Sequence, residues 1–191
     1  MTSPHSTDKG IKKMLLTAED YQQMGKAGIF ANKPRVELIN GELYTMSPIS
    51  PQHSSHVDKI NAFFVAALLG KAQIRTQSSI RTDVISEPEP DITILKYKED
   101  FYLNTPATNK DVYLIIEVAV YSVENDRTVK LSKYAEADIP EYWIVIPKEG
   151  IIEAYRSPKN GVYQHKDTYK KDDVWVFNTF NLQLKGENLL I

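Results

Sequence analysis

The period of the hydrophobic pattern changes several times along the chain, and each change marks an element. The most apolar strand-like stretch is YLIIEVAV, Tyr113 to Val120. A short continuous run rich in β-branched residues is the pattern of a strand buried on both faces. EYWIVIP, from Glu141, repeats it, and VENDRTVKLSKYAEADIP between them reads as a helix over about 124–137, stopped before Pro140. Strand, helix and strand make a βαβ-like unit.

Upstream, LTAEDYQQMGKAG pairs Thr17 with Asp20 as a capping box and ends at Gly28, which predicts a helix over about 18–26. RVELINGELYTM alternates on both sides of Asn40-Gly41, the strongest short hairpin signal. Val57, Ile60, Phe64, Ala67 and Leu68 recur at helical spacing, predicting a helix over about 52–69 that ends before Gly70. AQIRTQSSIRTDVI alternates like a half-exposed strand, and a strand is expected over 91–95 after Pro90. Beyond Ile151 come short runs broken by turn residues, Asn160-Gly161 among them. The sum is an α/β (α+β) fold: a mixed β-sheet flanked by helices, with additional antiparallel hairpins.

Composition narrows the function classes. The 191 residues are 42% hydrophobic and 25% charged, an ordinary globular balance in which one domain over 15–191 is the expectation. A formal net charge of -2 implies no whole-molecule attraction to a polyanion. The absence of cysteine excludes disulfides, thiolate zinc sites and a cysteine nucleophile, and fits a cytoplasmic protein. Residues 1–14 contain no apolar segment of signal-peptide length and read as a mobile arm. Ile60 to Gly70 is too short to span a bilayer, so no membrane partner is expected.

Glu117 interrupts the apolar run. A buried carboxylate must be protonated, paired or bound to a cation. Asp91 opens a strand directly after Pro90, and Glu37 lies in the first strand of the hairpin. Two carboxylates on adjacent strands suit Mg²⁺, which takes one or two carboxylates with waters and phosphate oxygens. A lysine two residues after the glutamate would complete a compact catalytic set, but that position is Ala119. Lys130, on the next helix beside Leu131 and sharing a face with Arg127 and Tyr134, is the nearest candidate. Taken alone, Lys130 reads as a solvated helix lysine and Glu117 as an edge-facing or salt-bridged glutamate.

ELINGEL, SPISPQH, EPDITIL and EVAVYSVENDRTVKLSKYAEADIPEYWIVIP resemble, in order and spacing, the successive blocks of the Uma-type restriction endonuclease family. The likeness covers about residues 15–185. It implies a restriction-endonuclease-like PD-(D/E)xK core and a Mg²⁺- or Mn²⁺-dependent phosphodiesterase acting on DNA. Carried over by position, Asp91 and Glu117 match the metal-binding pair, Glu37 an acidic residue that completes the shell or orients water, and Lys130 a displaced catalytic lysine. Asp126 matches an aspartate read as a helix cap or a partner of Lys130, and His53 a histidine for which a surface position is the simpler reading. Many members carry Ser-Pro-Ser where this chain has Val120, Tyr121 and Ser122. The resemblance also implies a homodimer. The alternatives are a catalytically inactive nuclease fold serving as a nucleic-acid-binding or assembly module, and a small-molecule or structural domain. The C-terminal aromatics Tyr163, Tyr169 and Trp175, with their interleaved lysines, read first as sheet packing and second as a nucleic-acid contact.

Overall fold

The computed structural model describes residues 12–191, so most of the arm expected over 1–14 lies outside the described residues. Helix α1 (Ala18–Lys26) starts on the expected capping box, with Thr17 Oγ1 accepting from the Asp20 N–H at 3.0 Å and Asp20 Oδ2 from the Thr17 N–H at 2.9 Å. The hairpin β1 (Val36–Ile39) and β2 (Glu42–Thr45) turns through Asn40 and Gly41, both left-handed at φ 51° and 77°. Those angles match the twist of the strands they join. Helix α2 (Pro51–Ala67) has proline in its first turn and Ser50 as N-cap, accepting from the His53 N–H at 3.2 Å.

Six strands form the central sheet: β3 (Ala72–Thr76), β4 (Ile92–Lys96), β5 (Val112–Val118), β6 (Glu141–Ile146), β7 (Ile151–Lys159) and β8 (Val162–Lys170), adjacent in that order. Only β5 and β6 run parallel. The middle of the crossover between them is one helical run: α3 (Val123–Asn125), a π-helical turn (Asp126–Lys130) and α4 (Leu131–Glu136) follow end to end. A small ribbon, β9 (Val174–Phe177) and β10 (Leu182–Lys185), covers one face.

The strand expected across 72–85 stops at Thr76, because Gln77 turns left-handed at φ 46°. Beyond it Ile80 and Thr82 are buried but meet only isolated bridges, Arg81 with Thr108 and Asp83 with Ser86. The alternation there records an extended segment packed on the body without a neighbouring strand to continue the ladder.

Period two divides the core. On β5, Leu114, Ile116 and Val118 face α2, where Val57, Ile60 and Phe64 pack with Trp143 and Phe177. Ile115 and Ala119 face the other layer, with Tyr134, Tyr142 and Ile144. Glu117 belongs to this second face by parity. The C-terminal aromatics pack as expected: Tyr169 stacks on Trp175 at 4.2 Å, and Tyr163 donates to the Ile139 carbonyl at 2.9 Å.

Candidate active site

Register brings the two predicted metal ligands together. Ile92 pairs with Ile116 across the antiparallel β4–β5 ladder, so Asp91 and Glu117 stand opposite each other one step further, on the same face. The Asp91 N–H donates to Glu117 Oε2 at 3.3 Å. The Val118 N–H donates to Asp91 Oδ2 at 2.9 Å. Both side chains lie at the C-terminal end of β5, where Glu117 pairs with Ile144 of the parallel neighbour β6.

Lys130 is no solvated lysine: only 6% of it is exposed. The wide turn that carries it closes with the Leu131 N–H donating to Asp126 O, five residues back. Such single π turns inside helices occur often at functional sites. Here the turn directs Nζ to Glu117 Oε1 at 2.9 Å, with Glu37 Oε1 at 3.5 Å. Tyr134 Oη also donates to Glu117 Oε1, at 3.0 Å. The buried glutamate is therefore paired, and the missing lysine at Ala119 is replaced in space from the next helix.

Glu37 joins the same group: its Oε2 accepts from the Glu89 N–H at 3.1 Å and its other oxygen faces Lys130. Among the described residues no group of three or more His, Cys, Asp or Glu side chains forms a metal-ligand cluster. Asp126 is buried and accepts from the Ser122 hydroxyl. It follows α3 and opens the π turn, so it is not the N-cap of the crossover helix.

His53 was the residue whose simple reading fails. Ser50 starts α2 so that His53 falls on the first turn facing β4, and its Nε2 lies 2.9 Å from Asp91 Oδ2. Its Nδ1 is buried with no hydrogen-bond partner among the described residues. His56 is structural, bonded through Nδ1 to the Gln52 carbonyl at 2.8 Å. The signal for His53 in the sequence was the Ser-x-x-His spacing from a helix N-cap, which points a third residue back over the helix start.

Burial sets the electrostatics first, and the crowding of carboxylates around one lysine modifies it. Burial opposes ionisation of Asp91, yet the hydrogen bond from His53, its charge and the Val118 N–H together hold the carboxyl below its ordinary value. Hydrogen bonding to Asp91 in turn raises His53. Burial pushes Glu117 well up; Lys130 pulls it back, while Asp91, Asp126 and Glu37 push it further. Asp126 rises to about 6, chiefly through burial. Burial works against the Lys130 charge, but Glu117, Glu37 and Asp126 overcome it and keep the ammonium protonated.

Glu37, His53, Asp91, Glu117, Asp126 and Lys130 all line one cavity of ≈ 270 Å³ at the strand ends, walled by residues 44–50 and 120–122. A hard divalent cation fits this donor set. Asp91 Oδ2 is held by two donors, while its Oδ1 makes no hydrogen bond among the described residues. Mg²⁺ needs only one or two carboxylates.

A family model described as "Putative restriction endonuclease", Uma2, matches residues 18–187. The chain belongs to the Uma2 family. Its fold is also that of a solved structure titled a "putative nuclease belonging to DUF820" from Anabaena variabilis, with TM-score 0.59 and 16% identity over 82% of this chain and 89% of that one. No curated protein matches the chain. Membership of Uma2 accords with the mixed sheet and with a nuclease. No helix among the described residues is long and apolar enough to cross a membrane.

Proposed function

We propose that the chain is a Mg²⁺- or Mn²⁺-dependent endonuclease hydrolysing phosphodiester bonds in DNA. The observation that carries the reading is the meeting of Asp91, Glu117 and Lys130 in one cavity at the end of β5. Asp91 and Glu117 would hold the cation. The chemistry such a cation supplies when bound is activation of water and neutralisation of charge on the phosphodiester. His53 and the Val118 N–H fix the Asp91 carboxylate so that its second oxygen faces the cavity. Lys130 opposes the rise that burial imposes on the Glu117 carboxyl and brings a positive charge to the side where the phosphoryl oxygens gain negative charge. Tyr134 fixes the Glu117 rotamer from behind. Glu37 takes part through Lys130, which it orients.

The alternative of an inactive module rests on the absent Glu-x-Lys lysine and on the modest net charge of -2; the Lys130–Glu117 contact supports the nuclease reading on the first point only. Purified protein with Mg²⁺ or Mn²⁺ should cut DNA, and Asp91→Ala and Glu117→Ala should abolish cutting while circular dichroism stays that of the folded protein. DNA binding without cleavage under either metal would return the inactive module. The homodimer is part of the same proposal, read by sedimentation of the purified chain.

A further inference from the structure

The lip of this cleft carries side chains that the hydrolytic reading leaves unused. Tyr121 follows β5 in the turn over the cavity and is 70% exposed. Parallel pairing sets that turn beside the β6–β7 connection, with the Ala119 N–H donating to the Val145 carbonyl at 2.8 Å. Lys148 in that connection therefore places Nζ 4.3 Å from the Tyr121 ring centre. Lys148 makes no salt bridge among the described residues. On the other wall, Tyr44 stands opposite Glu37 in the β1–β2 register, on the same face, and lines the cavity. Arg35 borders the same wall.

We propose that the substrate is single-stranded DNA, with a base stacked on Tyr121, the flanking phosphate near Lys148 and the backbone dipping toward Asp91; this rests on the nuclease reading of the same cleft. Its floor groups, Asp91, Glu117, Glu37 and Lys130, each expose less than a tenth of their surface. A phosphate of a stacked duplex sits on a convex, stiff rod and reaches such a floor only if its nucleotide leaves the stack, which costs a few kcal/mol. A single strand enters without that cost. Exposed aromatics beside unpaired cations are the means by which proteins hold single strands regardless of sequence, since every base offers a ring face.

The test is fluorescence anisotropy at one fixed salt concentration, in EDTA, with a labelled oligothymidylate and with the same strand annealed to its complement. A parallel set in Mn²⁺ is read on a gel. The single strand should bind at least about ten-fold tighter than the duplex. Tyr121→Ala should lose roughly ten-fold of that binding and Tyr121→Phe should keep it, with melting unchanged in both. Duplex bound as tightly as single strand, or Tyr121→Ala binding like the native protein, overturns the proposal. Duplex cut by both native and Tyr121→Ala protein overturns it and leaves the nuclease reading standing. A single strand bound through Tyr121 yet cut under neither metal overturns the nuclease reading and with it the strand's role as substrate, and leaves only the Tyr121 binding site. Binding of neither polymer overturns both.

Discussion

Replacing Lys130 by methionine isolates the central ion pair. The ammonium lies 2.9 Å from Glu117 Oε1 and 3.5 Å from Glu37 Oε1, with all three groups buried. At an effective dielectric of about 20 those separations correspond to gross attractions of about 6 and about 5 kcal/mol. Methionine also relieves the cost of burying the ammonium, so the net loss is smaller; removing one partner of a buried pair costs about 3–5 kcal/mol. Protonation limits the damage. Without Lys130 the Glu117 carboxyl rises further above its unfolded value, and the folded variant binds a proton that the unfolded chain releases. The deficit relative to the native protein is therefore largest at pH 8 and shrinks as pH falls toward the unfolded glutamate pKa. Urea unfolding of the metal-free protein at pH 8 and pH 5 measures it, provided one transition is seen by two probes. Adding Glu117→Gln should recover about 2 kcal/mol at pH 8, because an amide leaves no charge stranded. A loss below about 1 kcal/mol at pH 8, the same loss at pH 5, or strict additivity with Glu117→Gln would refute the reasoning.

Two further outcomes follow from other parts of the molecule. Burial raises the Glu141 carboxyl to about 7, against the opposing Trp143 hydrogen bond and the Arg156 charge, so its ionisation weakens the fold as pH rises from about 4.5 to about 7. Glu141→Gln keeps an acceptor for the Trp143 ring N–H and should gain about 1–3 kcal/mol at pH 8 and almost nothing at pH 4, measured by urea titration at each pH. A Cβ at Gly186 would lie 2.0 Å from the Lys170 carbonyl oxygen and 2.8 Å from the Lys171 Cα, both backbone. Gly186→Ala should therefore cost about 2–4 kcal/mol and lower the melting temperature by many degrees, with unfolding by calorimetry as the check.

How much was legible beforehand depends on the range of the interaction concerned. Elements set by neighbours in the chain could be read directly: the Thr17–Asp20 box, the Asn40-Gly41 turn and the apolar run of β5 all carry their cause within a few residues. The conflict at Glu117 was equally local, and so was its resolution in principle, since a charge in that strand requires a partner. Asp91 could be matched to it because β-strand alternation puts every second residue on one face.

Tertiary structure decided who that partner was. Helical spacing beside Leu131 and Tyr134 set Lys130 at the edge of the inward face, and the π turn, which has no period readable in DRTVKL, carried it into the interior. His53 and Asp91 are 38 residues apart in sequence, and Tyr121 and Lys148 meet only because β5 and β6 run parallel. The alternating segment after Thr76 failed as a strand for the same reason in reverse: alternation records which side of a segment is buried, whereas a strand also needs a neighbour to bond. Local chemistry thus specified the elements and the acidic residues. The register of β4 on β5 and the wide turn above them selected which cation, which histidine and which aromatic ring would stand around those acids.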